Sequence, residues 1–230
     1  MNTLIGLIAE PLGILLSYLY GFIDNYGITL IVFTIIVKAC LFPLYADQIK
    51  HSTRMADVQP KMQALQKKYA NDKEMLNIKM MELYKEEKFN PMRGCLPMLI
   101  QMPIIFGLFA LLRNPTVFIK SNEMLMAVHE AFLWVPDLSQ PDPWVLPILA
   151  GITTFISFSQ TQNQTQMGDN TMAPMMKMMR YFFPIMIVWM GRSFPAGLTV
   201  YWFIGTLIQI FQTRVLNNWK KKKLAEKESK

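Results

Sequence analysis

The chain has 230 residues, of which 52% are hydrophobic and only 17% charged, and its net charge is +7. Soluble domains carry nearer a quarter charged residues, so this composition favours a polytopic membrane protein over a soluble domain. Two cysteines, Cys40 and Cys95, are too few for a disulfide framework or a thiolate metal site.

Residues 1–23 are predicted to form an amphipathic helix that lies on the extracellular surface of the membrane. The first residues lack the Lys or Arg of a secretory signal peptide, and Glu10-Pro11 interrupts the apolar run. The remainder, Leu12 to Ile23, is short for a membrane span. A span with the amino terminus inside is the alternative interpretation.

The stretch from Tyr26 to Leu44, within a unit of residues 24–46, is the first predicted span, with Pro43 near its end. It is apolar except for Lys38, which lies about 18 Å along a helix from Tyr26. A charged residue inside a span costs about 2.5–3.5 kcal/mol, so Lys38 is expected to have a partner, water or a function. Snorkelling of its amine to the interface is the simpler alternative.

Residues 47–93 are predicted to form a two-helix hairpin on the cytoplasmic side. Ten Lys and Arg side chains lie between Lys50 and Arg93, against six Asp and Glu, and an excess of basic residues marks cytoplasmic segments. Pro60 is expected to kink or restart the first helix. Apolar residues recur at steps of three and four on both sides of a polar break, which indicates two facing stripes: Met55, Val58, Met62, Leu65 and Tyr69, then Leu76, Met80 and Leu83.

Residues 94–216 are predicted to complete the membrane core with spans at about 96–112, 144–158, 172–191 and 196–216. The connection 114–143 has one Lys and four acidic residues, which fits the outer face. Residues 217–230 form a basic cytoplasmic tail. The prediction is an all-α polytopic membrane protein with five transmembrane helices, a cytoplasmic hairpin and an amino-terminal interfacial helix. In this topology Arg192 stands alone on the outside.

No residue grouping in the sequence indicates catalysis. Paired carboxylates at the membrane face, a Ser/His/Asp grouping, a Gly-rich phosphate loop and a metal-ligand cluster are all missing, and His51 and His129 are isolated. We therefore expect no enzyme activity, no cofactor and no metal.

Four segments resemble the YidC/Oxa/Alb family of membrane protein insertases. They are IVKACLFPL (36–44), QPKMQALQKKY (59–69), NPMRGCLPMLIQMPI (90–104) and FPAGLTVYW (194–202), in the family's order and spacing. The resemblance implies a five-helix core, a cytoplasmic hairpin, and a hydrophilic groove that opens to the cytoplasm and to lipid. The chain is similar to the short form found in Gram-positive bacteria, and no lipid anchor is expected.

The resemblance also implies a positive residue on the first span that sits in the groove and is usually Arg. The matching position here is Lys38, which keeps the charge but lacks the planar guanidinium fork. Helix–helix hydrogen bonds are an equally good interpretation of the polar candidates for the groove wall. Those candidates are Gln101, Thr153, Thr154, Ser157, Trp202 and Gln209.

The expected function is that of a membrane protein insertase and chaperone in the bacterial cell membrane, with the amino terminus outside and the carboxyl terminus in the cytoplasm. A client's hydrophilic tail would be drawn towards Lys38 while its apolar segment enters lipid. Expected partners are nascent membrane proteins, with the ribosome, the signal recognition particle receptor, the Sec translocon and anionic lipids, but no DNA. Candidate contacts for clients or targeting factors on the hairpin are Lys61, Lys67, Lys68 and Met80.

Two other functions are compatible with a charged residue at this depth. An ion channel or secondary transporter could use Lys38 as its site, but such proteins commonly contain inverted repeats, and no repeat is visible here. A scaffold that assembles membrane proteins without inserting them would use the same groove.

Overall fold

The computed structural model describes residues 2–88, 96–113, 115–118, 122–164 and 173–228. Within these ranges the regular structure is helical, apart from an isolated bridge between Phe132 and Val135. The predicted all-α fold is confirmed. The helices are α1 (Asn2–Ile23), α2 (Tyr26–Cys40), α3 (Phe42–Lys68), α4 (Lys73–Glu86), α5 (Leu96–Arg113), α6 (Pro115–Phe118), α7 (Asn122–Ala127), α8 (Val145–Gln164), α9 (Ala173–Gly191) and α10 (Ala196–Glu228).

The helices form a bundle with two distinct ends. We call the end that carries α3 and α4 the hairpin end, and the end that carries residues 122–143 the connection end. Helices α2 and α10 both start at the connection end, where Tyr26 N donates to Glu130 Oε2 at 2.7 Å and Gly197 N donates to Leu138 O at 2.9 Å. Both helices therefore run side by side towards the hairpin end.

Helices α8 and α9 form an antiparallel pair beside α10. Gly151 of α8 lies so close to α9 that an added Cβ would be 2.4 Å from Val188 Cγ2. At the connection end, Gly191 approaches Pro147 in the same way. Small residues at such contacts let two helix backbones approach closely, which is a common basis of packing between membrane helices.

The main core lies between α1, α2, α5 and α10 and reaches into the connection. It is built from large apolar side chains that are fully buried, because the four helices turn their apolar faces towards one another. The largest of these side chains are Tyr26, Tyr201, Phe33, Leu16, Leu30, Leu108 and Leu111.

Helix α1 runs from Asn2 to Ile23 through Pro11, in agreement with the single helix predicted for residues 1–23. Proline removes one backbone hydrogen bond, and the helix keeps the rest while it packs along α5. An added Cβ at Gly107 would lie 3.0 Å from Ile8 Cγ2, and one at Gly13 would lie 2.7 Å from Leu111 Cδ1. Among the described helices, only the stretch Gly6–Ile23 in α1 has both the length and the apolar composition to cross a membrane.

The helix of the first predicted span ends earlier than expected. Helix α2 stops at Cys40, and α3 begins at Phe42 with Pro43 in its first turn. Proline is well tolerated there, because its missing N–H has no intrahelical acceptor in the first turn. Pro43 therefore lies in the first turn of α3 rather than near the end of α2. The other predicted spans fall on α5, α8, α9 and α10, and α10 continues as a helix into the predicted tail.

Helices α3 and α4 pack through the apolar stripes that the sequence predicts. Val58, Met62 and Leu83 are buried between them, and Lys61 forms an ion pair with Glu87 across the pair. The expected restart at Pro60 is wrong, since α3 is one helix from Phe42 to Lys68. Pro60 is exposed, so water can replace the hydrogen bond that proline removes.

The connection end is held together by two acidic side chains and one stacked cation. Glu130 accepts from the Tyr20 hydroxyl and from Tyr26 N, which fixes the turn between α1 and α2. Asp142 accepts from the backbone N–H groups at the start of α8. Arg192, which was expected to stand alone, has its Cζ 4.0 Å from the centroid of the Trp144 ring.

Candidate functional site

The Lys38 side chain points across the bundle from the last turn of α2. Its Nζ donates to Gln101 Oε1 on α5 at 3.1 Å. Gln101 in turn donates from Nε2 to the Tyr201 hydroxyl on α10 at 2.8 Å. One chain of hydrogen bonds therefore links three helices around the positive charge.

Gly205 on α10 provides the space that Lys38 occupies. An added Cβ at Gly205 would lie 2.9 Å from Lys38 Cε and 3.5 Å from its Nζ. The Lys38 amine is therefore held against α10 instead of extending freely to the hairpin end. This geometry argues against snorkelling, because the polar partner of the amine lies between helices.

No carboxylate forms an ion pair with Lys38 in the part of the chain that the structure describes. Its hydrogen-bond acceptor is the neutral amide of Gln101, which does not cancel the charge. A neutral partner of this kind leaves the ammonium group able to attract an external anion.

Two predicted wall residues, Thr153 and Thr154, lie instead in the interface between α8 and α10. Thr153 Oγ1 is 2.9 Å from Thr206 Oγ1, and Trp202 Nε1 donates to Thr154 Oγ1 at 3.0 Å. Both threonines are buried and also bond to carbonyls of their own helix. The geometry favours the helix–helix alternative for Thr153, Thr154 and Trp202.

The remaining predicted wall residues lie nearer the hairpin end. Ser157 is buried on α8, and the Gln209 carbonyl accepts from Thr213 Oγ1 at 2.8 Å and from the Tyr45 hydroxyl at 3.4 Å. Tyr45 also shares a hydrogen bond with the Thr213 hydroxyl. This contact attaches the start of α3 to α10, one turn beyond the level of Lys38.

On the hairpin, the predicted contact residues have different environments. Lys67 and Lys68 are exposed, and Lys68 Nζ lies 5.4 Å from the centroid of the Tyr69 ring. Lys61 is exposed but paired with Glu87. Met80 packs against the hairpin core. The exposed apolar residues of α4 lie on its other side, and they are Met75, Ile78 and Met81.

Comparison with known proteins identifies the family. The family model described as 60Kd inner membrane protein matches residues 18–223. A relative from Fusobacterium nucleatum, named membrane protein insertase YidC, is 40% identical over 213 residues, which cover 92% of this chain and 96% of the relative. The chain belongs to this family. The resemblance noted from the four segments is thereby confirmed.

Two further relatives are longer than this chain. Proteins named membrane protein insertase YidC from Geobacter and from Haemophilus influenzae are 39% and 38% identical to it. The chain covers only 37% of the first and 38% of the second.

A solved structure of this family has the same fold. The crystal structure of an active YidC insertase, with its first transmembrane domain resolved, matches with a TM-score of 0.64 and 29% identity. The match covers 90% of this chain and 45% of the other. The fold is that of a helical membrane protein.

The sequence therefore identified Lys38 and Gln101, which the fold brings together, but it missed Tyr201 and Gly205. Tyr201 stands in an aromatic stretch that is typical of side-chain packing, and Gly205 has no polar side chain that would mark it as part of a site. Their spacing was the signal that could have found them, because Tyr201 and Gly205 are four residues apart and therefore share one face of α10.

Proposed function

We propose that this chain is a membrane protein insertase in which Lys38 attracts the hydrophilic tail of a client. The observation that carries the proposal is the hydrogen bond from Lys38 Nζ to a neutral acceptor, Gln101, inside the bundle. A charge held there without a counterion among the described residues is costly in a membrane, and such residues usually mark a pathway or a binding site. The names of the relatives support the same activity.

The proposed mechanism lowers the barrier to moving polar groups through hydrocarbon. Unsatisfied backbone groups cost several kcal/mol each in lipid, so a path lined by Lys38, Gln101 and Tyr201 would lower that cost for a short client tail. An acidic tail would be held transiently at Lys38. The client's apolar segment of about 20 residues would then enter lipid, and its burial supplies the driving free energy.

The hairpin is proposed as the site of first contact with clients or targeting factors. Met75, Ile78 and Met81 form an exposed apolar face on α4, and methionine adapts well to varied apolar partners. Met80 is less suited, because it packs in the hairpin core. Lys67 and Lys68 remain exposed for acidic partners.

The proposed orientation has the hairpin end in the cytoplasm and the connection end outside. It follows the excess of basic residues in 50–93 and the acidic balance of 114–143. The ribosome, the signal recognition particle receptor, the Sec translocon and anionic lipids are proposed partners on the cytoplasmic side.

The direct test is insertion of a short single-span client by the purified chain reconstituted in liposomes. We expect the client's tail to become protected from added protease in vesicles that contain the chain and to stay accessible in empty vesicles. Equal protection in both would contradict an insertase function. Uptake of a small solute into the same vesicles without client insertion would favour the transporter alternative.

A further inference from the structure

A cavity of about 410 Å³ lies at the connection end, between the end of α5, residues 128–141 and the turn before α10. Pockets of about 300–1,000 Å³ hold small ligands, so this one has room for a short chain segment but not for a folded partner. Its wall is apolar at Phe109 and Pro195 and polar at Arg113, Gln140 and Ser193. The three polar residues are exposed, so the cavity opens to the solution.

Arg113 gives the cavity a positive charge. Its Cζ is 5.6 Å from the centroid of the Phe109 ring, one turn earlier on α5, and this contact holds the guanidinium at the wall. The carboxylate of Asp137 is occupied elsewhere, because it accepts from Ser139 N at 2.8 Å and lies 3.1 Å from His129 Nδ1. No carboxylate forms an ion pair with Arg113 among the described residues, so its guanidinium can bind one that enters from the solution.

The wall of the cavity is fixed by backbone hydrogen bonds to the start of α10. Ala196 N donates to Gln140 O at 2.8 Å, and Gly197 N donates to Leu138 O at 2.9 Å. The side-chain amide of Gln140 and the hydroxyl of Ser193 can each donate and accept. A peptide offers donors and acceptors along its backbone, whereas an inorganic anion only accepts. The lining therefore suits an acidic peptide segment better than a free anion.

The cavity lies at the far end of a helix that also contributes to the Lys38 site. Arg113 follows Gln101 by 12 residues on α5, which corresponds to about 18 Å. An extended tail covers that distance with five or six residues, at about 3.3 Å per residue. A tail that leaves Lys38 towards the connection end can therefore reach Arg113 after a few residues.

We propose that this cavity binds the acidic tail of a client once the tail has crossed the membrane, and that Arg113 pairs with a carboxylate of the tail. The inference rests on the proposed insertase function and adds the site that receives the translocated tail. Binding there opposes the return of the tail past Lys38. Because Arg113 is exposed, the attraction weakens as salt is added.

The test uses the full chain in liposomes and a single-span client whose tail carries a photo-reactive residue beside its acidic residue. Protease protection reports insertion, and mass spectrometry locates the crosslinks. We expect the protected client to crosslink to residues 137–141 and 193–195. The yield should fall by about two- to fivefold in Arg113→Gln, as for the loss of an exposed ion pair. Arg113→Lys keeps the charge and should keep most of the yield.

Arg192→Gln is the matched control, because Arg192 is an exposed cation at the same end whose guanidinium stacks on Trp144. It should keep the wild-type yield, and a client with a neutral tail should give the low yield with every variant. Three results would overturn this inference and leave the insertase function standing: full protection with a yield that does not depend on tail charge, an equal loss in both Gln variants, or crosslinks to lipid in place of the cavity. Absence of protection would overturn both.

Discussion

Lys38 Nζ and Gln101 Oε1 are 3.1 Å apart, although 63 residues separate them in the sequence. This hydrogen bond joins α2 to α5, and a second one, from Gln101 Nε2 to the Tyr201 hydroxyl, connects α5 to α10. The positive charge is therefore positioned by three helices, each of which contributes one side chain. Gln101 is the middle member of these three hydrogen-bonded side chains.

Gln101→Glu places a carboxylate of nearly the same shape beside Lys38. Hydrogen bonds to charged groups contribute about 1.5–3 kcal/mol, so the new pair would hold the ammonium group and cancel its field. We expect insertion of an acidic-tailed client to slow by about tenfold, which corresponds to about 1.4 kcal/mol. Gln101→Met, which removes the acceptor but adds no charge, should slow it less. An equal effect of both variants would argue against an electrostatic role.

Gly205→Ala tests the space that Lys38 occupies while leaving the charge in the chain. Alanine is favoured over glycine in a helix by about 1 kcal/mol, so the folded state should not be destabilised. The new Cβ would push the amine away from Gln101, at a cost of about 0.5–1.5 kcal/mol of hydrogen bonding, or about two- to tenfold in insertion rate.

Gly6→Ala is the matched control for this variant, because nothing lies within 4 Å of an added Cβ at Gly6. Insertion rates in liposomes and thermal unfolding of each variant check the prediction. If Gly205→Ala inserts clients at the wild-type rate, the position of the Lys38 amine does not matter for the reaction.

Thr154→Val distinguishes helix packing from groove lining. It removes the acceptor of the Trp202 indole hydrogen bond and keeps the side-chain shape. Hydrogen bonds between membrane helices average about 0.6 kcal/mol, so we expect a loss of stability of that order with insertion unchanged. Unfolding in detergent and liposome insertion measure the two quantities. Slower insertion with unchanged stability would restore Thr154 to the groove wall.

Asp142 predicts an acid-dependent stability at the connection end. Burial raises the pKa of this carboxyl, but hydrogen bonds from the Trp134 indole and from the backbone N–H groups of Trp144, Leu146 and Val145 outweigh it, so the pKa is lowered. A lowered pKa in the folded state means that the stabilisation is complete above the ordinary value of 3.8 and is lost as the pH falls below it.

Asp142→Asn should therefore destabilise the chain by about 1 kcal/mol at neutral pH, because an amide nitrogen cannot accept the hydrogen bonds that Oδ2 accepts from Trp134 Nε1 and Leu146 N. It should also flatten the fall in unfolding temperature that the wild-type chain shows as the pH drops below 3.8, because the variant has no carboxyl to protonate there. A variant that keeps the full acid dependence would show that other groups cause it.

The helices and their apolar pairing could be predicted from the sequence because both follow from local periodicity. The apolar stripe through Val58 and Met62 predicts the hairpin from the sequence alone. Pro60 was misleading, because α3 continues through it without a restart, just as α1 continues through Pro11. A single lost hydrogen bond breaks a helix only where packing or length does not compensate.

The site was only partly predictable, for a different reason. Lys38 stands out in an apolar stretch, and Gln101 is the single polar side chain of its helix between Leu96 and Leu112. The pairing of Thr153 with Thr206, and the space at Gly205, depend on how α8 and α2 each pack against α10. Such contacts between distant segments leave no periodic signal.

The most direct test of the central claim is a charge swap between Lys38 and the client tail in liposomes. We expect Lys38→Arg to insert an acidic-tailed client at close to the wild-type rate, and Lys38→Glu to be slow. With a client whose tail is basic, Lys38→Glu should regain much of the lost rate, because opposite charges again attract. If Lys38→Ala, Lys38→Glu and Lys38→Arg all insert both clients at the wild-type rate, charge attraction at Lys38 is not part of the mechanism.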